Sequence, residues 1–276
     1  MPISPADFDY VRDLVRRRSA IVLEKGKEYL VESRLQTLAR KESMECAEAL
    51  IAALRHDATG RLAERVVEAM TTNETSFFRD QHPFEALKTV IIPELIKNRK
   101  AERKLNVWSA ACSTGQEACS IAMTLRAGFP DLAGWSIKIM ATDLSSDMVA
   151  RCRSGRFSQL EISRGLPAPM MVRFFRRDGA DWVLNSDLLA MFDCREFNLM
   201  NDFVGVPSMD VVFLRNVLIY FDAATKSKIL ARVRRVLRPD GFLILGSSET
   251  IFENEGFETT TVGRTPVFRP RTLVNA

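Results

Sequence analysis

The residues best suited to chemistry lie in the run L-N-V-W-S-A-A-C-S-T-G-Q-E-A-C-S-I-A-M-T-L, residues 105–125, which reads as a strand, a tight turn and a helix. Ser109, Ala110, Ala111, Ser113, Thr114 and Gly115 are small, so a ligand can approach the backbone closely, and the helix that follows offers free N–H groups. This is the first βα unit of a nucleotide-type site. A pyrophosphate cradle normally relies on G-x-G-x-x-G, and Gly115 is the one glycine present, which favours a non-phosphorylated nucleoside over NAD or FAD. Glu117, near the helix start, repels phosphate and suits a cationic ligand.

Two further strand ends carry polar groups. In I-K-I-M-A-T-D-L-S-S, Asp143 stands where an acid can accept ribose hydroxyl hydrogen bonds, or else caps the helix that follows. Beside the small-residue turn the ribose reading is the stronger. In D-V-V-F-L-R-N-V-L-I-Y-F-D a buried-type strand ends in Arg215 and Asn216, followed by Tyr220 and Asp222. Ligands of open α/β sheets bind at the carboxyl ends of strands, so Arg215, Asn216 and Tyr220 fall where chemistry is expected; the other reading of Tyr220 is an amphipathic core residue with a bonded hydroxyl.

Several chemistries are set aside by what is missing. The two histidines have no H-x-x-x-H spacing, and the five cysteines are odd in number with no C-x-x-C pair, so neither a metal centre nor a disulfide framework is expected. The thiols read as reduced and the chain as cytoplasmic. A net charge of +4 is too diffuse to indicate nucleic-acid binding. The N-terminal residues have no apolar core of a signal peptide, and the apolar runs stop short of the roughly 20 residues a bilayer needs, so no membrane insertion is expected.

These groups need elements to hold them. With 46% hydrophobic and 27% charged residues, the composition is that of a soluble globular protein. At roughly 150 residues per domain, the length suggests two domains. Residues 4–70 show apolar positions at helical spacing (Phe8, Val11, Leu14, Val15; Leu30, Leu35, Leu38; Leu50, Ile51, Leu54) and no strand alternation. Ser4, with Pro5 after it, predicts a helix from Pro5 to Arg18. Arg16, Arg17 and Arg18 close that helix and form a positive cluster with Arg12, either as helix-end charges or as a surface for an acidic partner. From Asn106 onward, strands alternate with helices: LNVWSA, IKIMATD, MDVVFLRN and GFLILGS. This predicts an α/β, doubly wound, mostly parallel Rossmann-like sheet. R-P-D-G reads as a turn between a helix and the last of these strands. Two prolines, the turn RRDGAD and the strand-like WVL and AMFDCREF interrupt the rhythm, so residues 153–197 read as a small inserted antiparallel β-subdomain. The expected organisation is a helical domain over 1–72, a structured linker over 73–83 that contributes to the site, and the α/β domain over 84–276.

N-E-T-S-F-F-R-D, V-W-S-A-A-C-S-T-G-Q-E, A-T-D-L, R-S-G-R-F, F-N-L, F-L-R-N-V-L-I-Y-F and L-R-P-D-G-F-L-I-L-G-S-S-E, in this order, resemble the chemotaxis receptor methyltransferases, the CheR family. The resemblance covers nearly the whole chain. It implies transfer of a methyl group from S-adenosylmethionine to glutamate side chains on the cytoplasmic helices of chemoreceptors, with S-adenosylhomocysteine as product. Carried over by position, it implies cofactor contacts from Asn73, Thr75 and Arg79, from Glu117 and Asp143, from Asn198 and Leu199 near the adenine, and from Arg215 and Asn216, with Tyr220 close to the transferred methyl and Arg79 a second catalytic candidate. Gln116 stands where the family often has an acid, which leaves position 116 as the neighbour competing with Glu117.

In the family, the inserted subdomain of some members docks a receptor pentapeptide by strand addition. Here the turn is short and carries Gly179 alone, where peptide-dependent relatives have a longer glycine-rich loop, so independence of the pentapeptide is expected. Arg12, Arg16, Arg17 and Arg18 are the candidate docking cluster for the receptor helices. The competing readings are a methyltransferase acting on another substrate and a module that senses the cofactor without turnover.

Overall fold

The computed structural model describes residues 3–251 and 256–271. Its chain divides into two compact units, one of residues up to Thr72 together with Tyr220–Lys226, the other Asn73–Ile219 with the residues from Ser227 onward.

The first unit is helical: α1 (Pro5–Ser19), α2 (Glu28–Lys41), α3 (Ala47–His56) and α4 (Arg61–Ala69). The start of α1 is as the sequence predicts, with the Ser4 hydroxyl accepting from the Asp7 N–H at 3.1 Å. The helix ends one residue later than expected, at left-handed Ala20. Phe8, Val11, Leu14, Leu35, Leu50 and Leu54 are buried and form its core, which is what apolar residues at helical spacing produce when helices pack. The arginine cluster is partly spent within this unit. Arg12 pairs with Asp9 at 2.6 Å, Arg16 with Asp222 at 3.1 Å, and Arg18 donates to the Thr59 carbonyl at 2.8 Å. Arg17 is exposed and has no acidic partner among the described residues.

The second unit follows in chain order as α5 (His82–Ala86), α6 (Ile92–Asn98), β1 (Lys104–Ala110), α7 (Gln116–Gly128), β2 (Ser136–Asp143), α8 (Ser146–Ser154), β3 (Arg156–Ser158), α9 (Gln159–Ser163), α10 (Ala168–Phe174), β4 (Phe175–Asp178), β5 (Asp181–Leu184), α11 (Ser186–Leu189), β6 (Phe192–Glu196), β7 (Met209–Leu214), α12 (Ala223–Val236, whose first turn belongs to the first unit), β8 (Leu237–Leu245), β9 (Phe257–Val262) and β10 (Thr265–Pro270). Among the described residues the main sheet has the order β6-β2-β1-β7-β8-β10-β9. Its first five strands are parallel, and β10 and β9 close it as an antiparallel hairpin. The order runs outward from β1 in both directions, so the ends of β1, β2 and β7 meet at the switch point where such sheets bind ligands. Buried Val107, Trp108, Ile139, Val211 and Phe213 show why these strands read as continuous apolar runs. Among the described residues no helix is long and apolar enough to cross a membrane.

Two local readings are corrected. AMFDCREF, grouped from the sequence with the inserted antiparallel piece, forms β6 and pairs in parallel with β2, Ile139 facing Phe192. The small sheet is β3-β5-β4, in which β4 and β5 form the hairpin around Gly179 that RRDGAD predicts. R-P-D-G is not a turn ahead of the strand but lies inside β8. There the register jumps from Met209–Leu237 to Val211–Phe242, leaving Asp210 opposite the extra residues.

The irregularity has an ionic anchor. Arg99, at the end of α6, donates to Asp210 at 2.7 Å and to Asp240 at 2.9 Å, while Asp210 also accepts from the Asn106 N–H at 2.8 Å. Its guanidinium holds the Asp240 carboxyl below the ordinary value. Arg99→Ala leaves Asp210, 1% exposed, without its main counter-charge, and is expected to cost about 3–5 kcal/mol in denaturant unfolding. Because the folded value of Asp240 is depressed, its share of that stability is present above its unfolded value of 3.8 and is lost as pH falls through the lower folded value. The variant should therefore differ less from the parent in strong acid than at pH 7; an equal difference at both would contradict the pairing.

Candidate functional site

At the end of β1 the chain turns sharply. Ala111, Ser113 and Gly115 take left-handed φ values of 59°, 51° and 97°, two of them without the freedom of glycine. The turn is held from outside: the Cys112 N–H donates to the Thr142 carbonyl at 2.8 Å, and the Ser113 N–H donates to Asp143 Oδ2 at 2.8 Å. A Cβ on Gly115 would come 2.8 Å from Cys152 Sγ. Small residues are thus required by backbone path and by the packing beneath it.

Asp143 is buried, and its second oxygen accepts from the Ser145 N–H at 3.0 Å. The side chain capping α8 is that of Ser145, which accepts from the Met148 N–H. Asp143 therefore ties the loops after β1 and β2 together in place of the helix-capping alternative. Positions 116 and 117 differ in their partners. Gln116 is buried and accepts from the Thr114 hydroxyl at 2.7 Å, whereas Glu117 accepts from the Ser109 hydroxyl at 2.7 Å and from Arg215 Nη1 at 2.9 Å.

Arg215, at the end of β7, is the centre of this network. Its side chain is 2% exposed and donates from Nη2 to the Arg79 carbonyl at 2.8 Å and to Asp80 at 3.0 Å. Its guanidinium lies 5.8 Å from the centre of the Phe84 ring, and its Nε is buried with no acceptor. Two carboxylates, Glu117 and Asp80, share the one guanidinium of Arg215, and Asp143 is bonded to the turn after β1. Arg215 is thereby spent inside the protein and is a poor candidate to steer a substrate carboxylate.

The stretch N-E-T-S-F-F-R-D meets the same turn. The Asn73 carbonyl accepts from the Ser113 hydroxyl at 2.7 Å, the Phe78 N–H donates to Ser120 Oγ at 2.9 Å, and Arg79 Nη1 donates to the Glu74 carbonyl at 2.9 Å. Thr75 is half-buried on this stretch. Asn198 and Leu199 follow Phe197, whose N–H donates to the Asp143 carbonyl at 2.8 Å; Asn198 Oδ1 accepts from the Met200 N–H and Leu199 is buried. Phe197 and Phe203 meet Trp108 edge-on, with ring centres 5.6 and 5.2 Å away. The structure therefore gathers Asn73, Arg79, Glu117, Asp143, Asn198, Arg215 and Asn216 around the ends of β1, β2 and β7. Tyr220 falls in the helical unit, where its carbonyl accepts from the Val22 N–H at 2.9 Å.

One residue was missed. Glu249, buried just past β8, accepts from five backbone N–H groups: Asn216 (2.7 Å), Val217 (2.9 Å), Leu218 (2.7 Å), Ile219 (3.3 Å) and Gly246 (2.8 Å). It fixes the turn after Arg215, where Asn216 is again left-handed at φ 57°. The available signal was an acid at the carboxyl end of a strand in G-S-S-E.

A hydrogen bond from Cys112 together with burial pushes the Cys152 thiol up, and burial pushes Cys119 up.

Comparison with known proteins decides what this arrangement belongs to. Residues 6–71 match the CheR methyltransferase all-alpha domain, and residues 73–265 match the CheR methyltransferase SAM binding domain. The chain belongs to the CheR family. It is 40% identical over 250 residues to the chemotaxis protein methyltransferase Cher2 of Pseudomonas putida, across 89% of this chain and 90% of that protein. It is 38% identical over 256 residues to chemotaxis protein methyltransferase 1 of Pseudomonas aeruginosa, across 91% of this chain and 92% of that one. Chemotaxis protein methyltransferase 1 of Vibrio cholerae is 39% identical over 259 residues, across 90% and 91%.

The CheR chain is thus an S-adenosylmethionine-dependent methyltransferase of the chemotaxis family. Its own residues fit that cofactor. The βα turn has no pyrophosphate cradle, its small residues keep side chains away from the backbone, and the carboxylates around Arg215 outnumber the guanidinium they hold, which suits a positively charged nucleoside.

Proposed function

We propose that this CheR-family enzyme methylates glutamate side chains of chemoreceptors, with Glu117 and Asp143 holding the amino-acid and ribose parts of the cofactor. Asn73, Thr75 and Arg79 contribute from the linker side, Asn198 and Leu199 lie near the adenine, Arg215 and Asn216 complete the cofactor contacts, and Tyr220 acts near the methyl. The observation that carries this reading is the pair of carboxylates, Glu117 of α7 and Asp80 of the linker stretch, on the guanidinium of Arg215, in a chain whose relatives are named chemotaxis protein methyltransferases.

Bound there, S-adenosylmethionine supplies a methyl group on a sulfonium, which a glutamate carboxylate takes up as an ester with release of S-adenosylhomocysteine. A glutamate with a pKa of about 4.3 is already ionised at neutral pH, so the protein need not supply a base. The work left to its residues is alignment and exclusion of water. Arg79 is the better candidate to orient the incoming carboxylate, since Arg215 is engaged by Glu117 and Asp80.

The receptor helices dock in this reading on the Arg12, Arg16, Arg17 and Arg18 face and on the β-subdomain. Arg17 is exposed and without an acidic partner among the described residues, whereas Arg12, Arg16 and Arg18 have partners of their own. The compact β4–β5 hairpin around Gly179 supports independence of a receptor pentapeptide. Incubation with labelled S-adenosylmethionine and receptor-containing membranes of a chemotactic bacterium should place alkali-labile label on the receptor, at equal rates with receptors that carry or lack the pentapeptide. Alkali-stable label, or label on another acceptor alone, would overturn the glutamate assignment, and a rate that depends on the peptide would overturn its dispensability.

A further inference from the structure

Phe77 lies between two parts of the sheet unit that the sequence keeps far apart. It is 1% exposed, and its ring meets Phe157 of β3 and Phe175 of β4 edge-on, with centres 5.0 and 5.7 Å away. Its N–H donates to the Arg164 carbonyl at 3.1 Å, and the Arg164 side chain pairs with Glu74 at 2.9 Å. At Gly165 the contact is closest, since a Cβ there would lie 2.2 Å from the Phe77 carbonyl oxygen, and Gly165 itself sits at φ +88°. The inserted sheet and the turn after α9 thus grip the middle of N-E-T-S-F-F-R-D.

The same stretch is tied on both sides of Phe77 to the βα unit that begins with β1, through Asn73 to Ser113 of the turn and through Phe78 to Ser120 of α7. Phe78 and Asp80, which flank Arg79, are both left-handed at φ 49° and 53°. Such conformations persist in non-glycine residues where the surroundings impose them. The grip at Phe77 and the bonds to Ser120 and Arg215 are those surroundings.

We propose that Phe77 and Gly165 are positioning residues of the methyltransferase site: through them the inserted β-subdomain sets the path of residues 78–80 and with it the placement of Arg79. This rests on the reading above that the linker residues contact the cofactor. Lifting the Phe77 carbonyl moves Phe78, Arg79 and the Asp80 that Arg215 holds, whereas Asp143 stays on the Ser113 and Ser145 N–H groups.

The test is calorimetric titration of S-adenosylhomocysteine into the full chain carrying Gly165→Ala or Phe77→Leu, with thermal melts to establish that each is folded at the titration temperature. Gly165→Ala is expected to weaken binding about tenfold or more, and Phe77→Leu by a smaller factor. The effect of Arg79→Ala should shrink in either background, because the displaced loop has already lost that contact. A merely structural role predicts lower melting temperatures with affinity within twofold of the parent, and that result, or strict additivity with Arg79→Ala, overturns the proposal. If Gly165→Ala does not fold, Phe77→Leu decides by the same criteria. If Arg79→Ala alone leaves affinity unchanged while Glu117→Gln lowers it, the reading of Arg79 as a cofactor contact fails and the proposal falls with it; if Arg79→Ala lowers affinity while Gly165→Ala and Phe77→Leu leave it within twofold, that reading stands and the proposal alone is overturned.

Discussion

Glu117→Gln is expected to weaken cofactor binding by about one to two orders of magnitude. The amide keeps the size of the side chain and can still accept from Ser109, but it removes the charge that meets Arg215 Nη1 at 2.9 Å. Hydrogen bonds to charged groups contribute about 1.5–3 kcal/mol, and each factor of ten in affinity is about 1.4 kcal/mol. Two effects add in the same direction. The site loses a carboxylate that favours a cationic ligand, and the buried guanidinium of Arg215 is left to Asp80 and the Arg79 carbonyl. Titration with both S-adenosylmethionine and S-adenosylhomocysteine separates two roles for the charge. If it acts on the sulfonium, the substrate loses more affinity than the neutral thioether product; if it acts on the amino group, which both carry, the losses are equal. Affinity within twofold of the parent for both ligands, in a variant that melts cooperatively, would remove Glu117 from the site.

The turn after β1 was readable because everything that makes it is local. A buried strand, a run of tiny side chains and a helix start occupy consecutive positions, and they lead to Glu117 and, one strand later, to Asp143. The same holds for the Ser4 cap and the β4–β5 hairpin. What depends on distant partners was not readable. Phe192–Glu196 has the texture of any half-buried strand, and only its pairing with β2 assigns it to the main sheet. R-P-D-G reads as a turn because its residues prefer turns, while Asp210 and Arg99 hold it as an irregular part of β8. Ala111, Ser113 and Asn216 are left-handed without being glycine, which no composition rule reveals. The pairing of Arg215 with Glu117 and Asp80 also required the fold, and it makes that arginine an internal counter-ion.

Glu249→Gln is expected to destabilise the enzyme by about 2–4 kcal/mol and to slow methyl transfer more than it weakens product binding. The carboxylate divides its work: Oε1 accepts from Val217, Leu218 and Ile219, and Oε2 accepts from Asn216 and Gly246. An amide can satisfy one set with its oxygen but then turns N–H donors toward the other, so buried backbone donors lose their acceptor. Asn216, left-handed at φ 57°, loses the anchor that holds it there, and the turn that leads from Arg215 to Tyr220 relaxes. Product binding, which in this reading draws mainly on Glu117, Asp143 and the linker residues, should change less than kcat. Gly246→Ala approaches the same contact from the other side, since its Cβ would lie 2.7 Å from Glu249 Oε2 and 2.9 Å from the Asn216 nitrogen. Both variants should therefore share one pattern in denaturant unfolding, S-adenosylhomocysteine titration and receptor-methylation kinetics. A stability change in Glu249→Gln within the roughly 0.5 kcal/mol of an ordinary surface substitution, with kcat unchanged, would show that the five N–H groups do not depend on this carboxylate.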